Sequence, residues 1–218
     1  MKKSNYLNKE GQFFVRCSAL GTVMASPSKL EISVGAKTYV RNAFKETYLE
    51  YENIIESPKF DKGNFMEEQA IKLVSDYYEE PYEKNEEKRT NGYISGTCDI
   101  AYGNKIRDIK CPWSKVTFPL FEEDAKSTQY EWQGRGYMML WNKDFFYLDY
   151  CLMDTPKTLI PAWEGSDIHT VLNLSNELRI KTLKYERDLT KEKQIIQRVT
   201  GMRLYWDELK KQLNNKNK

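Results

Sequence analysis

Residues 92–111 read GYISGTCDIAYGNKIRDIKC, with apolar-rich runs on both sides of Gly103 and Asn104. A glycine–asparagine pair between two such runs is typical of a two-residue hairpin turn. We therefore predict a β-hairpin over this stretch, in which Tyr102 pairs with Lys105 across the turn.

The predicted register places two carboxylates next to one ammonium group. Asp99 faces Asp108, and Lys110 lies on the same face because strand side chains alternate between faces. Like charges directly opposite each other destabilise a sheet, and a bound cation would relieve that cost. Mg²⁺ binds carboxylate and carbonyl oxygens and keeps several waters. We predict a metal site here. The alternative is an exposed hairpin with incidental charges, because charged residues make up 30% of the chain.

The composition is that of a globular protein. The chain has 218 residues, of which 40% are hydrophobic and 13% aromatic. This is enough for one substantial core, so we predict a single domain over residues 1–218. The net charge of +2, from 34 basic and 32 acidic residues, neither requires nor excludes a polyanionic partner.

Cysteine and histidine usage argues against several kinds of site. The four cysteines form no C-x-x-C pair, which disfavours a zinc ribbon or an iron–sulfur cluster, so we predict free and mostly buried thiols. The single histidine, His169, disfavours a Ser-His-Asp triad and a multi-histidine zinc site, and we predict a surface or capping role for it. The sequence has no G-x-x-x-x-G-K-[ST] motif, so we expect no ATP hydrolysis.

The sequence also shows no targeting or membrane signal. The first residues, MKKSN, are followed by polar residues, and no run approaches the ~18 apolar residues that span a membrane. We therefore predict a cytoplasmic protein that has no membrane partner.

Helical patterning precedes the hairpin. Apolar residues at helical spacing predict one helix from about residue 36 to 55 and another over residues 61–80. In the second helix, Glu67 borders the apolar face. The favoured interpretation of Glu67 from local pattern alone is a capping box with Asn64.

Helix and strand patterns also follow the hairpin. Residues 125–141 predict a helix with Gln133 and Tyr137 on one face, and residues 144–153 predict a buried strand. The carboxy-terminal region, from about 170 to 214, predicts helix with a break near Thr200-Gly201.

The candidate residues stand in the order helix, strand, strand, helix, and this ordered set resembles the PD-(D/E)XK nuclease superfamily. Within it, the chain is similar to the lambda-exonuclease or YqaJ-type viral recombinase group. The matching segments lie between about residues 13 and 153: RCSALG (16–21), EEQA (67–70), GTCD (96–99), DIK (108–110) and the Q-x-x-x-Y pattern of 133–137. The family's Pro-Asp hallmark is absent, since Cys98 precedes Asp99.

The resemblance implies an α/β (α+β) fold with a restriction-endonuclease-like core. A central mixed β-sheet would be flanked by helices, with the hairpin at its centre and a helical extension at the carboxy terminus. The carboxy-terminal cysteine cluster of the superfamily's iron–sulfur nucleases is missing here, so no cluster is expected.

The resemblance also implies roles for individual residues. Asp99, Asp108, the carbonyl of Ile109 and Glu67 would hold Mg²⁺ or Mn²⁺, with Glu67 acting directly or through water. Lys110 would position the attacking water and stabilise the transition state. Gln133 would orient a water, the lysine or a phosphate. A 5′-phosphate would be held by a second group: Arg16, Ser18, Thr97 and Tyr137.

The activity implied is that of a metal-dependent DNA exonuclease. It would digest one strand of linear double-stranded DNA from 5′ to 3′, producing single strands for phage-type recombination. Members of this group form trimers and work with a single-strand-annealing protein. A phage-encoded protein would act in the host cytoplasm. Two alternatives stay open: an endonuclease on the same fold, and a non-catalytic protein that binds nucleic acid.

Overall fold

The computed structural model describes residues 4–29, 31–54 and 56–216. Within these ranges the chain forms seven β-strands and six α-helices. In chain order they are β1 (Val15–Arg16), α1 (Leu20–Val23), α2 (Val34–Tyr48), α3 (Pro58–Tyr78), β2 (Arg89–Thr90), β3 (Ile94–Gly96), β4 (Ile100–Tyr102), β5 (Lys105–Lys110), α4 (Glu122–Ala125), α5 (Thr128–Trp141), β6 (Phe145–Cys151), β7 (Ile180–Glu186) and α6 (Leu189–Lys216).

The strands form two sheets. The larger has the order β4-β5-β6-β7, in which β5 and β6 are parallel and the outer pairs are antiparallel. The smaller has the order β1-β3-β2 and is also mixed. The predicted fold class is therefore confirmed: mixed sheets are flanked by helices, and a long helix ends the chain.

The predicted hairpin register is confirmed next to the turn. Tyr102 pairs with Lys105, and the ladder continues to Ile100 opposite Arg107. Gly103 has a φ of 52°, which suits glycine at the first central position of a type II′ turn.

The hairpin is shorter than the predicted stretch of residues 92–111. Its first arm is divided, because β3 belongs to the smaller sheet and β4 to the larger. Asp99 lies in the bend before β4, where its carbonyl accepts a hydrogen bond from Asn85 N at 2.7 Å. The expected strand pairing of Asp99 with Asp108 is therefore not formed, because the Asp99 carbonyl is hydrogen-bonded to Asn85 rather than to β5.

The middle of helix α5, residues 132–138, is buried, and the helix contacts both sheets. It begins at Thr128 rather than at 125, because the Ser127 side chain caps it by accepting from Tyr130 N. Close packing requires Gly134, since a Cβ there would lie 2.0 Å from Phe146 Cδ1 of β6.

Helix α3 starts earlier than predicted. Ser57 is the N-cap and Pro58 the first helical residue, so Asn64 and Glu67 lie inside the helix and the capping-box interpretation is wrong. Helix α2 runs from Val34 to Tyr48 and ends earlier than predicted, since residues 49–54 are not helical; Ile55 itself lies outside the described residues.

The carboxy-terminal region differs most from its prediction. Residues 180–186 form strand β7 at the edge of the larger sheet rather than helix. Helix α6 then runs without a break through Thr200 and Gly201. Its amphipathic pattern is weakened there, but α6 packs on α2 and α5, and this tertiary packing keeps the helix continuous.

The larger sheet separates two hydrophobic cores. Ile106, Phe146 and Leu148 face a core shared with α1, α2, α5 and α6. Ile109 and Cys151 face a second core that is formed with α3.

An ion pair between Arg107 and Asp149 is buried within the larger sheet. Arg107 donates to both carboxylate oxygens of Asp149, at 2.7 and 3.0 Å, and Thr182 also donates to Asp149. Because this pair satisfies its own charges, it is structural rather than a candidate reaction site.

His169 is buried rather than on the surface, with a relative exposure of 2%. Its Nδ1 lies 2.9 Å from Thr155 Oγ1, and its Nε2 lies 3.3 Å from Glu164 Oε2. The prediction of free and mostly buried thiols is confirmed, since Cys17, Cys98 and Cys151 are buried and unpaired. None of the helices in the described ranges is long and apolar enough to cross a membrane.

Candidate active site

The carboxylates of Asp99 and Asp108 lie just beyond the end of the β4–β5 ladder. Asp108 is on β5 with a relative exposure of 1%, and Asp99 lies in the bend before β4. Asp99 Oδ2 accepts a hydrogen bond from Ile109 N at 2.6 Å, which ties its side chain to β5 although its backbone lies outside the ladder. Burial, and then the charge of Asp108, raise the pKa of Asp99 to about 8. The two acids therefore lie close enough to repel each other.

Lys110 supplies the opposite charge. Its Nζ lies 2.5 Å from Asp108 Oδ2 and 5.0 Å from the ring centroid of Tyr130. Burial lowers the pKa of Lys110, but Asp108 and Asp99 outweigh it, so the net shift in pKa is upward and the ammonium stays charged.

Gln133 connects the carboxylates to α5. Its Nε2 donates to Asp108 Oδ1 at 3.2 Å and to the Tyr137 hydroxyl at 3.0 Å. The helical spacing that placed Gln133 and Tyr137 on one face is thus realised in a buried chain of hydrogen bonds. Burial, and then the charge of Asp108, raise the pKa of Tyr137, which keeps the phenol protonated.

Glu67 lies at the margin of this group. Its Oε2 is 3.3 Å from Lys84 Nζ, and its charge raises the pKa of Asp99 less than the charge of Asp108 does. Among the described residues, no three His, Cys, Asp or Glu side chains are close enough together to enclose a metal ion. Of the expected ligand set, Asp99 and Asp108 are therefore adjacent, and Glu67 fits the water-mediated role better than the direct one.

The residues present fit a hard cation. Apart from its contact with Lys110, the buried Asp108 Oδ2 has no hydrogen-bond partner in the described part of the chain. When both carboxylates are ionised, one ammonium leaves a net negative charge, and the raised pKa of Asp99 reflects this shortage of positive charge, which Mg²⁺ or Mn²⁺ would balance. Asp99, Asp108 and the carbonyl of Ile109 would supply oxygen ligands.

A cleft of ≈ 230 Å³ adjoins the carboxylates. It is lined by all four residues that the resemblance assigned to a 5′-phosphate, together with four others: Arg16, Ser18, Thr97 and Tyr137, with Cys17, Lys88, Ser95 and Gly96. Because Tyr137 also bonds Gln133, the cleft and Asp108 share one hydrogen-bonded chain.

Gly96 makes the wall of this cleft possible. A Cβ at Gly96 would lie 2.7 Å from the Tyr137 ring and 2.9 Å from Cys17 Sγ. Any other residue would push β3 away from α5 and from the turn at Cys17–Ala19. The glycine of the GTCD segment therefore has a packing role that its local sequence does not reveal.

Sequence reasoning missed three residues of the site. Lys88 adds a second cation to the cleft, but it stands in a charged loop and no local pattern separates it from its neighbours. Lys62, which is 0% exposed, donates to the carbonyls of Pro112 and Trp113 at 2.7 and 3.0 Å, just after Lys110. Tyr130 lies on the helix face of Gln133 and Tyr137, as its spacing predicts, although no role in the site was expected of it.

Known structures share this architecture. A phage-related exonuclease from Haemophilus somnus 129PT matches with a TM-score of 0.87 and 31% identity, over 93% of this chain and 97% of that one. The alkaline exonuclease LHK-Exo from Laribacter hongkongensis matches with a TM-score of 0.70 and 13% identity, over 94% of this chain and 93% of that one. A structure of LHK-Exo in complex with dAMP matches with a TM-score of 0.64 and 14% identity, over 93% and 94% of the two chains.

The level of identity decides what each match means. The LHK-Exo structures show a shared fold alone. No family model matches the sequence, and no curated protein matches it. The H. somnus protein is similar over nearly its whole length and at 31% identity. The chain therefore belongs to the same family as the phage-related exonuclease of H. somnus.

Proposed function

We propose that this protein is a metal-dependent exonuclease that degrades linear double-stranded DNA from its 5′ ends. Three findings support the proposal: membership of a phage-related exonuclease family, a buried group of two carboxylates and a lysine, and a cationic cleft beside it. The observation that carries the 5′ preference is the cleft, where Arg16 and Lys88 adjoin the carboxylates through Tyr137.

Each residue has a task in this reaction. Arg16 and Lys88 attract a terminal 5′-phosphate, and the hydroxyls of Ser18 and Thr97 donate hydrogen bonds to its oxygens. Lys110, which stays charged, offsets the negative charge that builds on the scissile phosphate.

Asp99 and Asp108 would hold the cation. When it is bound, the metal lowers the pKa of a water and neutralises charge on the phosphate. Gln133 fixes the orientation of Asp108 through its amide, and Glu67 is available to a water at the margin of the site.

The biological role is part of the same proposal. Digestion of one strand from a 5′ end leaves a single strand suited to phage-type recombination. We propose a cytoplasmic setting, a single-strand-annealing protein as partner, and a trimeric assembly. Their support is the family resemblance, and each is open to separate measurement.

The proposal is tested with protected linear duplexes in Mg²⁺. In one duplex, nuclease-resistant linkages protect the 5′ termini, and in the other they protect the 3′ termini. We expect rapid digestion of the 3′-protected duplex and slow digestion of the 5′-protected one, and faster digestion when the free 5′ ends carry phosphate. Digestion that is blocked by 3′ protection instead would contradict the 5′ polarity, and equal rates on phosphorylated and hydroxyl ends would contradict recognition of the phosphate.

A further inference from the structure

Helix α6 reaches the strands of the cleft through one arginine. Arg203 Nε donates to the carbonyl of Phe13 at 2.8 Å, and its Nη2 donates to the carbonyl of Gly92 at 2.6 Å. Its guanidinium also lies 4.4 Å from the ring centroid of Tyr93. One side chain thus joins two segments that are far apart in sequence.

Those two segments lead directly into the walls of the cleft. Phe13 precedes β1, which ends at Arg16, and Gly92 precedes β3, which Thr97 follows. Arg203 therefore binds each strand at the end remote from the phosphate-facing residues. A shift of either strand at this point moves a wall of the cleft.

The backbone ladder between the two strands is short. The parallel ladder contains only two residue pairs, Val15 with Ile94 and Arg16 with Ser95. At the end near the cleft the two segments are also packed together, because Gly96 lies against Cys17. Hydrogen bonds from a charged donor are stronger than neutral ones, so Arg203 adds a strong tie at the opposite end of the pair.

The acceptor on β3 is itself held in place. Gly92 has a φ of 84°, a conformation that favours glycine, and the Asn91 side chain accepts from Tyr93 N and Ile94 N at 3.1 and 3.0 Å. The turn that presents the Gly92 carbonyl is therefore well defined, and Arg203 transmits the position of α6 to β3.

We propose that Arg203 is a positioning residue for the 5′-phosphate cleft. By holding β1 and β3 together at the ends remote from the cleft, it sets the separation between Arg16 and Thr97. Helix α6, which carries Arg203, thereby governs the discrimination between phosphorylated and unphosphorylated 5′ ends. This inference rests on the proposed function, because it takes the cleft to be the site of the 5′-phosphate.

Arg198 provides a matched control on the same helix. It donates to the carbonyls of Ala25, Ser26 and Glu31, between α1 and α2 rather than on the cleft strands. Both arginines bind backbone carbonyls, so their replacement removes the same kind of contact, but only Arg203 contacts the strand pair.

The test compares kcat/KM on 5′-phosphorylated and 5′-hydroxyl linear duplexes in Mg²⁺ for the wild type, Arg203→Met and Arg198→Met. We expect the phosphate preference to fall by roughly 10- to 100-fold in Arg203→Met, because a small misplacement of a binding group has effects of that size. The rate on the hydroxyl duplex should change little, and Arg198→Met should keep the wild-type preference.

The outcomes separate the inference from the proposed function. A wild type without phosphate preference overturns the proposed recognition of the 5′ end, and this inference with it. A wild type with the preference and an Arg203→Met variant that retains it overturns the inference alone, as does an equal loss in Arg198→Met. If Arg203→Met does not fold, Arg203→Gln is assayed in the same way, and an unchanged preference again overturns the inference.

Discussion

Asp108 is the residue on which most contacts of the site converge. One carboxylate oxygen meets Lys110 and the other accepts from Gln133, while Asp99 is close enough to be affected by its charge. A buried carboxylate is costly unless it is paired, and here one ammonium serves two acids. The group is therefore short of positive charge, which accounts for its fit to a divalent cation.

Lys110 should be required for DNA degradation, whereas another lysine of β5 should not. Lys105 pairs with Glu80 at 2.8 Å and is the matched control. We expect Lys110→Ala to lower the rate of nucleotide release from linear duplex by about 10²–10³-fold, because the charge opposite the reacting phosphate is lost. Lys105→Ala should retain near wild-type rates.

Thermal unfolding of both variants checks that they are folded. A Lys110→Ala protein that is folded and fully active would remove Lys110 from the mechanism.

Single residues were predictable where local geometry fixes the direction of a side chain. Alternation along β5 put Asp108 and Lys110 on one face, and helical spacing put Gln133 and Tyr137 on another shared face. Lys88 and Arg203 could not be found in this way. Their roles depend on strands and helices that are distant in sequence, and nothing in their neighbouring residues distinguishes them.

Among the elements, α5 packs closely on strand β6 of the larger sheet. Gly134 is pressed against Phe146, where a Cβ would lie 2.0 Å from the ring. We expect Gly134→Ala to lower the free energy of unfolding by about 1–3 kcal/mol, the usual cost of overpacking. The measurement is denaturant unfolding.

Gly63 on α3 is the control for this substitution. A Cβ there would meet nothing within 4 Å, so Gly63→Ala should stabilise the protein by about 0.5–1 kcal/mol through helix propensity. Equal effects of the two substitutions would show that the contact with Phe146 is not tight.

Helix α3 is joined to the segment after β5 through Lys62. This lysine donates to three carbonyls, those of Pro112, Trp113 and Met153. We expect Lys62→Met to cost about 1–3 kcal/mol of unfolding free energy, because buried carbonyls lose their donor. Urea unfolding measures the change.

Lys72 on the same helix is the comparison for Lys62. It is exposed, and its one ion pair within the described part of the chain is with Asp76, one helical turn away, so Lys72→Met should change the free energy of unfolding by less than ~0.5 kcal/mol. A Lys62→Met protein as stable as Lys72→Met would contradict the role of Lys62 as a tie between α3 and the segment that follows β5.

Elements were predictable where pattern and tertiary packing agree. The turn at Gly103, helix α5 and strand β6 followed their sequence signals within a few residues. Strand β7 did not, because short charged segments of mixed spacing become strands only when a neighbour such as β6 is available to pair with. The separation of β3 from β4 was hidden for a similar reason, since it arises from pairing between β1 and β3.

In the whole molecule, the two sheets carry different parts of the candidate site. The larger sheet carries Asp108 and Lys110, the smaller carries the cleft with Arg16, and α5 connects them through Gln133 and Tyr137. An end of DNA held in the cleft would therefore lie beside the carboxylates, which suits removal of nucleotides from an end rather than cleavage within a duplex.

We propose that the carboxylate site acts on DNA ends with the help of a divalent cation. The most direct measurement compares one duplex as a closed circle and after linearisation, each incubated with the protein in Mg²⁺ and in EDTA. We expect the linear form to be degraded to nucleotides only in Mg²⁺, while the circle stays intact. Cutting of the circle at a comparable rate, or degradation of the linear form in EDTA, would contradict it.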